Sequence, residues 1–409
     1  MKKWIALILA LLLCLSAAAC GQSSSGNAPA AQPAEQAAQQ QPEKEVHQIG
    51  VIVYNPGDEE VISFREYLQG YIETNFEMLR FVYSGAITSP EEEMAFIKNA
   101  CENGVEGFLS FRTFDLAAEV ALCEQYKAYY MLASGTVTDE EFEAVADNPY
   151  FLGVFGPGRE AEYEAAHDMA EHFVNEHQPK RFFILSGGAA SGNEMHFQRT
   201  LAILDVLLKQ PGVNFTGSVD KFARSEKLNS YTVADVTITI CPGYVARDPS
   251  AFNTAKDALS TGGYDVALCV LPPVDLANYL GSAVLGVVDS FNTRNLQLFN
   301  SKKMDYVVGK YSSSLGPAAM LMLNAVTGHA EDFRDNGRAV QVVQGFWVAE
   351  GMEDYVEKFS LATSASMNAY NFQDLSRICR IYNPNATLED LVALAEACSY
   401  EDVVARRSE

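Results

Sequence analysis

The sequence predicts an α/β protein built from two doubly wound lobes, each containing a parallel β-sheet. Short apolar runs such as "IGVIVY" at 49–54 alternate with amphipathic helical stretches. Strands that are apolar throughout and joined by helices favour a parallel sheet covered on both faces. The alternation restarts with "RFFILS" at 181–186, beyond a Gly-Pro break at 155–157. Two such series in one chain indicate two lobes.

The amino terminus predicts export and membrane attachment. Two lysines precede an apolar run at 4–15, and small residues lead to Cys20. This pattern is typical of a secretory signal peptide. The residues before Cys20 resemble the lipobox of bacterial lipoproteins, so we expect a lipoprotein signal peptide at 1–20 and lipidation of Cys20; an ordinary cleaved signal is the alternative. Residues 21–46 contain almost nothing that could enter a core and are predicted to be a disordered tether.

We therefore expect an extracytoplasmic chain, held by a lipid anchor on the outer face of the bacterial cytoplasmic membrane. The net charge of −24 argues against nucleic acid and against docking on anionic lipid, and it favours a self-repelling monomer. The cysteines after Cys20 occur singly, without a C-x-x-C pair. Free thiols are the favoured interpretation, and a single disulfide bond is the alternative.

An enzyme needs a nucleophile with a base, a metal constellation or a cofactor loop, and the sequence supports none of these. The glycine-rich stretch "SGGAASGN" at 186–193 lacks the ending of a phosphate-binding P-loop. Histidines 167, 172 and 177 are five residues apart, a spacing that does not place them on one helix face. We predict no catalytic residue, metal site or cofactor.

Two later segments depart from the regular alternation. Residues 217–249 are predicted to be an inserted antiparallel element, and a terminal segment from about 340 ends in helices. In parallel α/β sheets, ligands bind beyond the carboxyl ends of the strands. The loops at those ends contain aromatic, amide and hydroxyl side chains with few charges, which is typical of a binding site.

The chain from 47 to 345 resembles the type 1 periplasmic-binding-protein family, in particular its sugar-binding branch that includes ribose-binding proteins. The resemblance rests on the lipobox-like Cys20, the two lobes, the first strand ending in Asn55-Pro56, and "GVVDSFN" at 286–292. It implies a three-segment hinge, a ligand clamped between the lobes, and delivery to an ABC importer permease or a membrane receptor. The implied lobes are 47–155 with about 311–340, and 156–310 with about 341–409 including the tail.

The resemblance also implies roles for individual residues. Asn55 matches an amide that bonds ligand hydroxyls, Asp289 matches an aspartate that takes two sugar hydroxyls, and Arg199 resembles a ligand-facing arginine. Lys310 stands where glutamine is usual in the family, so the resemblance does not decide between a sugar-like ligand and an anionic one. The full predicted ligand-binding set is Tyr54, Asn55, Phe111, Arg112, Ser134, Phe155, Arg199, Pro273, Asp289, Phe291 and Lys310.

Each of these residues also has a structural alternative. Asp289 could cap the helix that follows it, the arginines could pair with surface acids, and the aromatic side chains could belong to the core. The rival function is a cell-surface hydrolase that uses acids such as Asp58, Glu59 and Glu60. It predicts two carboxylates converging in the cleft, one of them with a raised pKa. A ligand-sensing receptor partner with the same fold is the third possibility.

Overall fold

The computed structural model describes residues 45–187, 194–243, 248–363 and 369–408. The predicted signal peptide with Cys20, nearly all of the predicted tether and most of the glycine-rich stretch lie outside these residues. Within them, every helix is too short or too polar to cross a lipid bilayer.

The strands fall where the short apolar runs predicted them. In chain order they are β1 His47–Ile52, β2 Leu79–Tyr83, β3 Val105–Ser110, β4 Tyr129–Leu132, β5 Phe151–Gly156, β6 Arg181–Leu185, β7 Asn229–Val233, β8 Val236–Cys241, β9 Val266–Cys269, β10 Val284–Ser290, β11 Met304–Lys310, β12 Val340–Val343 and β13 Trp347–Glu350.

Helices connect these strands and continue beyond the last one. They are α1 Glu59–Arg65, α2 Glu73–Asn75, α3 Pro90–Glu102, α4 Leu116–Tyr126, α5 Asp139–Glu143, α6 Gly158–His177, α7 Glu194–Leu208, α8 Val219–Ala223, α9 Pro249–Gly262, α10 Thr293–Asn300, α11 Gly316–Asn324, α12 Gly351–Ala362, α13 Phe372–Arg377, α14 Leu388–Glu396 and α15 Tyr400–Ser408. A π-helical segment, Glu66–Ile72, joins α1 to α2, and a 3₁₀ turn, Ser312–Leu315, precedes α11.

The strands form two sheets, and the predicted fold class is confirmed. The first sheet has six strands in the order β12-β5-β4-β3-β1-β2, all paired in parallel. The second has seven strands in the order β13-β11-β10-β9-β6-β8-β7, with antiparallel strands at both edges. Because the inner strands of each sheet are buried on both faces, their sequences are continuously apolar.

The chain passes between the two sheets three times. The passages follow β5, β11 and β12, because α6 packs on β10 and β11 whereas α11 packs on β3 and β5. The last passage comes later than the boundary near 341 expected from the sequence. Val340 and Val342 are buried where β12 pairs with β5 at the edge of the first sheet, so this strand belongs to the first lobe.

The expected antiparallel insertion is only partly present. Strand β8, which contains the alternating "VTITI" run, is fully buried and pairs in parallel with β6 as a regular member of the sheet. Of the two described strands in this segment, only β7 pairs antiparallel, at the exposed edge of the sheet. Alternation in β8 reflects its Thr residues, and Thr237 and Thr239 are satisfied by hydroxyl contacts with Thr232 and Ser230 of β7.

Residues 351–363 and 369–408 form a helical C-terminal extension that contacts both lobes. On the first lobe, the Tyr67 hydroxyl donates to the carbonyl of Tyr370 at 2.9 Å. On the second lobe, the Tyr355 hydroxyl donates to the carbonyl of Asn292 at 2.8 Å. Within the extension, Thr387 and Asp390 form a reciprocal capping box at the start of α14.

The extension also packs against two of the three passages. The Tyr311 hydroxyl and the Trp347 indole N–H both donate to the carbonyl of Cys398, each at 2.8 Å. The two rings stack with centroids 4.1 Å apart. The side-chain amide of Gln344 donates to the carbonyls of Ser314 and Ala395. The extension is therefore part of the buried core and not an appended tail.

Candidate functional site

Asp289 and Lys310 lie at the carboxyl ends of two neighbouring strands. In the parallel register of β10 and β11, Asp289 is opposite Gly309 and Ser290 is opposite Lys310. Parallel pairing brings these ends to one edge of the second sheet, which is where ligands bind in this class of fold. Two residues predicted separately from the sequence are thus brought together.

Two amides hold one oxygen of the Asp289 carboxyl group. Asn295 and Asn292 donate to Oδ2 at 2.7 and 3.3 Å. The other oxygen, Oδ1, is buried and has no hydrogen-bond partner within the described part of the chain. Asp289 does not cap α10; the cap is Asn292, whose side chain accepts from the Asn295 backbone N–H. The capping alternative for Asp289 is therefore wrong.

The first lobe presents acidic groups to Asp289 from the start of α1. Asp58 caps this helix by accepting from the Glu60 backbone N–H at 3.0 Å. Burial, then the neighbouring Glu60 charge, raises the pKa of Asp58 to about 6, although a hydrogen bond from Tyr54 opposes the shift. Glu60 follows Asp58 by two residues, and its carboxylate faces Lys310 of the second lobe.

Lys310 joins the two lobes. Its Nζ lies 3.5 Å from Glu60 Oε1 and donates to the Ser134 carbonyl at 3.1 Å. The two charged side chains are only 14% and 18% exposed, so this ion pair is largely shielded from solvent. Lys310 extends from the second sheet and both of its partners belong to the first lobe, so the contact spans the cleft.

Burial, followed by the negative charge of Asp58, raises the pKa of Asp289 to about 8. The Asn295 amide favours the ionised form but does not offset the burial. The Asp289 carboxyl group therefore keeps its proton to a higher pH than an ordinary aspartate does. A protonated carboxyl group can donate a hydrogen bond as well as accept one, which suits a hydroxyl-bearing ligand.

The predicted residues of the first lobe occupy the same region with mixed roles. Tyr54 is half-buried and bonds to Asp58, whereas the Asn55 side chain accepts from the Gly57 backbone N–H at 3.1 Å and so stabilises its own turn. Phe111 packs edge-on against Phe64 at 5.1 Å in the core. The Arg112 guanidinium lies 3.7 Å from the centroid of the Phe114 ring.

The remaining predicted residues of this set are committed to internal packing. Phe155 is fully buried in β5, and Phe291 stacks on Tyr355 of the extension at 5.2 Å with an interplanar angle of 6°. Pro273 begins the 3₁₀ turn Val274–Tyr279. Their ligand-binding roles stay predictions.

Arg199 forms a buried ion pair inside the second lobe. Its Nε donates to Glu162 Oε2 at 2.6 Å, and its Nη1 donates to the Val270 carbonyl at 2.7 Å. The two side chains are 6% and 1% exposed. A buried guanidinium needs such a partner because an uncompensated charge is strongly destabilising. The contacts give Arg199 a structural role.

The sequence did not indicate Asn292 or Asn295 as site residues, and it indicated Asp58 and Glu60 only as acids of the rival hydrolase. Both acids also have a local role, since Asp58 caps α1 and Glu60 lies in its first turn, where a negative charge favours the helix dipole. The two asparagines follow Asp289 by three and six residues on the turn into α10, so a strand-end acid followed by amides was the available signal. No local pattern indicates which loop of the other lobe faces them.

Two α/β lobes linked by three crossing segments, with polar groups facing across the cleft, define a two-lobed ligand-binding fold. No protein-family model matches the chain. No curated protein matches it either. The similarity is found among solved structures. A periplasmic sugar-binding protein from Pseudomonas fluorescens has a TM-score of 0.60 at 11% identity, covering 88% of this chain and 100% of that one.

Two further structures carry a bound ligand. An ABC transporter solute-binding protein from Bacillus halodurans with myo-inositol has a TM-score of 0.55 at 13% identity, covering 78% of this chain and 99% of that one. A carbohydrate transporter protein from Acidothermus cellulolyticus, also with myo-inositol, has a TM-score of 0.55 at 15% identity, covering 78% and 99%. The chain therefore has the fold of type 1 periplasmic binding proteins.

Proposed function

We propose that this protein is an extracytoplasmic solute-binding lipoprotein, which captures a small, polar, sugar-like solute between its lobes and delivers it to an ABC importer. The observation that carries the proposal is the convergence of Asp289 and Lys310 with Asp58 and Glu60 across the cleft. A carboxyl group with a free buried oxygen, flanked by amides, is suited to adjacent hydroxyl groups of a polyol.

The charges in the cleft favour a neutral or cationic solute over an anionic one. Lys310 and Arg199, the two cations that suggested an anionic ligand, are paired with Glu60 and Glu162. An anion would also approach the carboxylates of Glu60 and Asp58. Like charges at close range oppose binding, so we expect sugars and cyclic polyols to bind better than sugar acids.

The location and partners form the second part of the proposal. Lipidation at Cys20 would anchor the protein, and residues 21–46 would tether the lobes to the outer face of the cytoplasmic membrane. We propose a monomer that docks on a permease, with a ligand-sensing receptor partnership as the alternative. The lobes are 47–155 with 311–343, and 156–310 with the strand at 347–350, and the extension spans both.

A hydrolase is the second candidate, because two carboxyl groups with raised pKa values do converge between the lobes. Three observations favour binding. Burial is the first cause of both shifts, the Asp289 carboxyl group is held by amides without a nucleophile, and the similar structures with myo-inositol are transport proteins. A closed binding site produces the same raised values without catalysis.

A thermal-shift screen of the chain without its signal segment tests the proposal. The panel contains neutral sugars, cyclic polyols including myo-inositol, amino sugars and sugar acids. We expect at least one neutral or amino-bearing member to raise Tm, since a ligand that binds only the folded state stabilises it by mass action. Recovery of that ligand unchanged after prolonged incubation supports binding, whereas its conversion supports the hydrolase. A response to sugar acids alone would refute the proposed ligand class.

A further inference from the structure

Three side chains of the kind that bind transition metals converge on the second lobe. His172 and His177 lie on the last turns of α6, and Asp305 lies on β11. Asp305 Oδ2 is 2.9 Å from His177 Nε2 and 3.4 Å from His172 Nε2. One ligand atom from each of the three residues lies within 4.8 Å of the others.

This cluster is separate from the interlobe cleft. Asp305 is the second residue of β11 and Lys310 is the last, so the cluster is at the opposite end of the strand. Five residues of extended strand span roughly 16 Å at about 3.3 Å per residue. A ligand in the cleft and a metal at the cluster would therefore not share a coordinating residue.

The spacing of these histidines in the sequence argues against a shared metal site. Residues five apart on an α-helix are separated by about 140° around the axis, so they do not share a face. The two imidazole rings are nonetheless only 5.9 Å apart between centroids, and Nε2 of each ring contacts Oδ2 of Asp305 on β11. A residue distant in the chain completes the set, and helix periodicity alone does not reveal it.

The orientation of His172 is fixed by its surroundings. Its ring packs against Tyr306 and Phe173 with centroids 4.9 and 5.2 Å away, and the side chain is only 13% exposed. On the other side of the ring, Glu350 Oε1 lies 3.7 Å from Nδ1. Metal-binding histidines commonly direct their second nitrogen toward a carboxylate, which orients the ring and increases its basicity.

The donor set indicates the class of metal. Two imidazole nitrogens and one carboxylate oxygen suit Zn²⁺ and related transition metals, whereas Ca²⁺ and Mg²⁺ prefer oxygen ligands. In a tetrahedral zinc site with bonds of about 2.0–2.1 Å, neighbouring ligand atoms are about 3.3–3.4 Å apart. The distance of 3.4 Å between His172 Nε2 and Asp305 Oδ2 matches that edge, whereas the distance of 2.9 Å between His177 Nε2 and Asp305 Oδ2 is that of a hydrogen bond and has to lengthen when a metal binds.

We propose that His172, His177 and Asp305 form a binding site for a divalent transition metal of the zinc class, with Glu350 orienting His172. His177 and Asp305 are 34% and 37% exposed, so the metal reaches the site from solvent and keeps one coordination position for water or a partner group. Glu350 immediately precedes α12, so the ion connects α6 and β11 to the start of the extension. The acidic chain, with a net charge of −24, attracts cations to it.

Competition with a chromophoric chelator tests the site, using untagged protein and Zn²⁺. We expect one Zn²⁺ per chain, and about tenfold or greater loss of affinity in both His177→Gln and Asp305→Asn. Excess Mg²⁺ or Ca²⁺ should not compete. Co²⁺ should give the intense visible absorption of a tetrahedral site in the unmodified protein and not in the two variants.

His167→Gln is the matched control, because His167 lies on the same helix beside Asp168 and Asp205 but outside the cluster. It should bind Zn²⁺ as the unmodified protein does. Equal Tm values of all variants in EDTA would show that each is folded. Absence of stoichiometric Zn²⁺ binding, or unchanged binding in both His177→Gln and Asp305→Asn, would overturn the site and leave a hydrogen-bonded histidine cluster.

Discussion

Lys310 Nζ lies 3.5 Å from Glu60 Oε1 and joins the second lobe to the first across the cleft. The same ammonium group donates to the Ser134 carbonyl at 3.1 Å, so it has two partners on the opposite lobe. Strand β10, which pairs with the strand of Lys310, carries Asp289. Burial and the charge of Asp58 raise the pKa of Asp289. The cation therefore lies among the acidic groups that a ligand would meet.

Replacing Lys310 by Met should destabilise the protein by about 1–3 kcal/mol, between the values for exposed and buried ion pairs. The pair is largely shielded, and the substitution leaves Glu60 without its partner. Urea denaturation measures the change. In a double-mutant cycle with Glu60→Gln, we expect a coupling energy above about 0.5 kcal/mol. Lys227→Met is an exposed control, and an equal loss there would contradict the cross-lobe assignment.

Asp289 should make stability fall as pH rises. Its folded-state pKa of about 8 lies above the ordinary value of 3.8, so the folded state holds a proton that the unfolded state releases between these values. Stability contributed by this group is thus greatest near pH 4 and is lost by about pH 8. Asp58, with a pKa of about 6, adds the same trend over a narrower range.

The substitution Asp289→Asn should flatten this dependence and raise Tm relative to the unmodified protein at pH 8 more than at pH 5. Thermal unfolding at both pH values measures the difference. Asp139→Asn, an exposed first-turn position of α5, is the control and should leave the dependence unchanged. A parallel pH profile for Asp289→Asn would show that Asp289 ionises normally.

Arg199→Met should lower the free energy of unfolding by about 3–5 kcal/mol, because Glu162 would be left as a buried unpaired charge. The double substitution Arg199→Met with Glu162→Leu should recover much of that loss. Chemical denaturation distinguishes this structural role from ligand binding. Unchanged stability combined with lost ligand affinity in Arg199→Met would restore the ligand-facing role implied by the resemblance.

Tyr67→Phe should cost about 1–2 kcal/mol because the buried Tyr370 carbonyl of the extension loses its donor. Tyr231→Phe is the control, since its hydroxyl bonds the Asn214 carbonyl at the exposed edge of the second lobe. Guanidinium denaturation compares the two. Equally small losses of unfolding free energy in the two variants would mean that the extension contributes little to the stability of the first lobe.

The architecture could be predicted from the sequence because it depends on local and repeated patterns. Continuous apolar strands such as β10 alternate with helices, and that pattern specifies parallel sheets. The role of β8 was harder to predict. Its alternating Thr residues are typical of a half-exposed strand, and only the pairing with β7 and β6 accounts for their burial.

The site was predicted less completely because it depends on contacts between distant residues. Asp289 and Lys310 were selected by their position at strand ends, a property of the local sequence. Ser134, one partner of Lys310, is 176 residues away from it in the chain. Glu60, the other partner, lies in the first turn of α1, where its position is already explained by the helix. Phe291 was assigned to the ligand although the extension, whose packing the sequence does not specify, supplies its partner Tyr355.

A neutral or amino-bearing polar solute is proposed to bind between the lobes at Asp289. Isothermal titration calorimetry of the strongest thermal-shift hit, with unmodified protein, Asp289→Asn and the exposed control Asp139→Asn, tests it most directly. We expect one site per chain, a loss of affinity of about tenfold or more in Asp289→Asn, corresponding to about 1.4 kcal/mol, and no change in the control. Full affinity in a folded Asp289→Asn protein would contradict the proposed site.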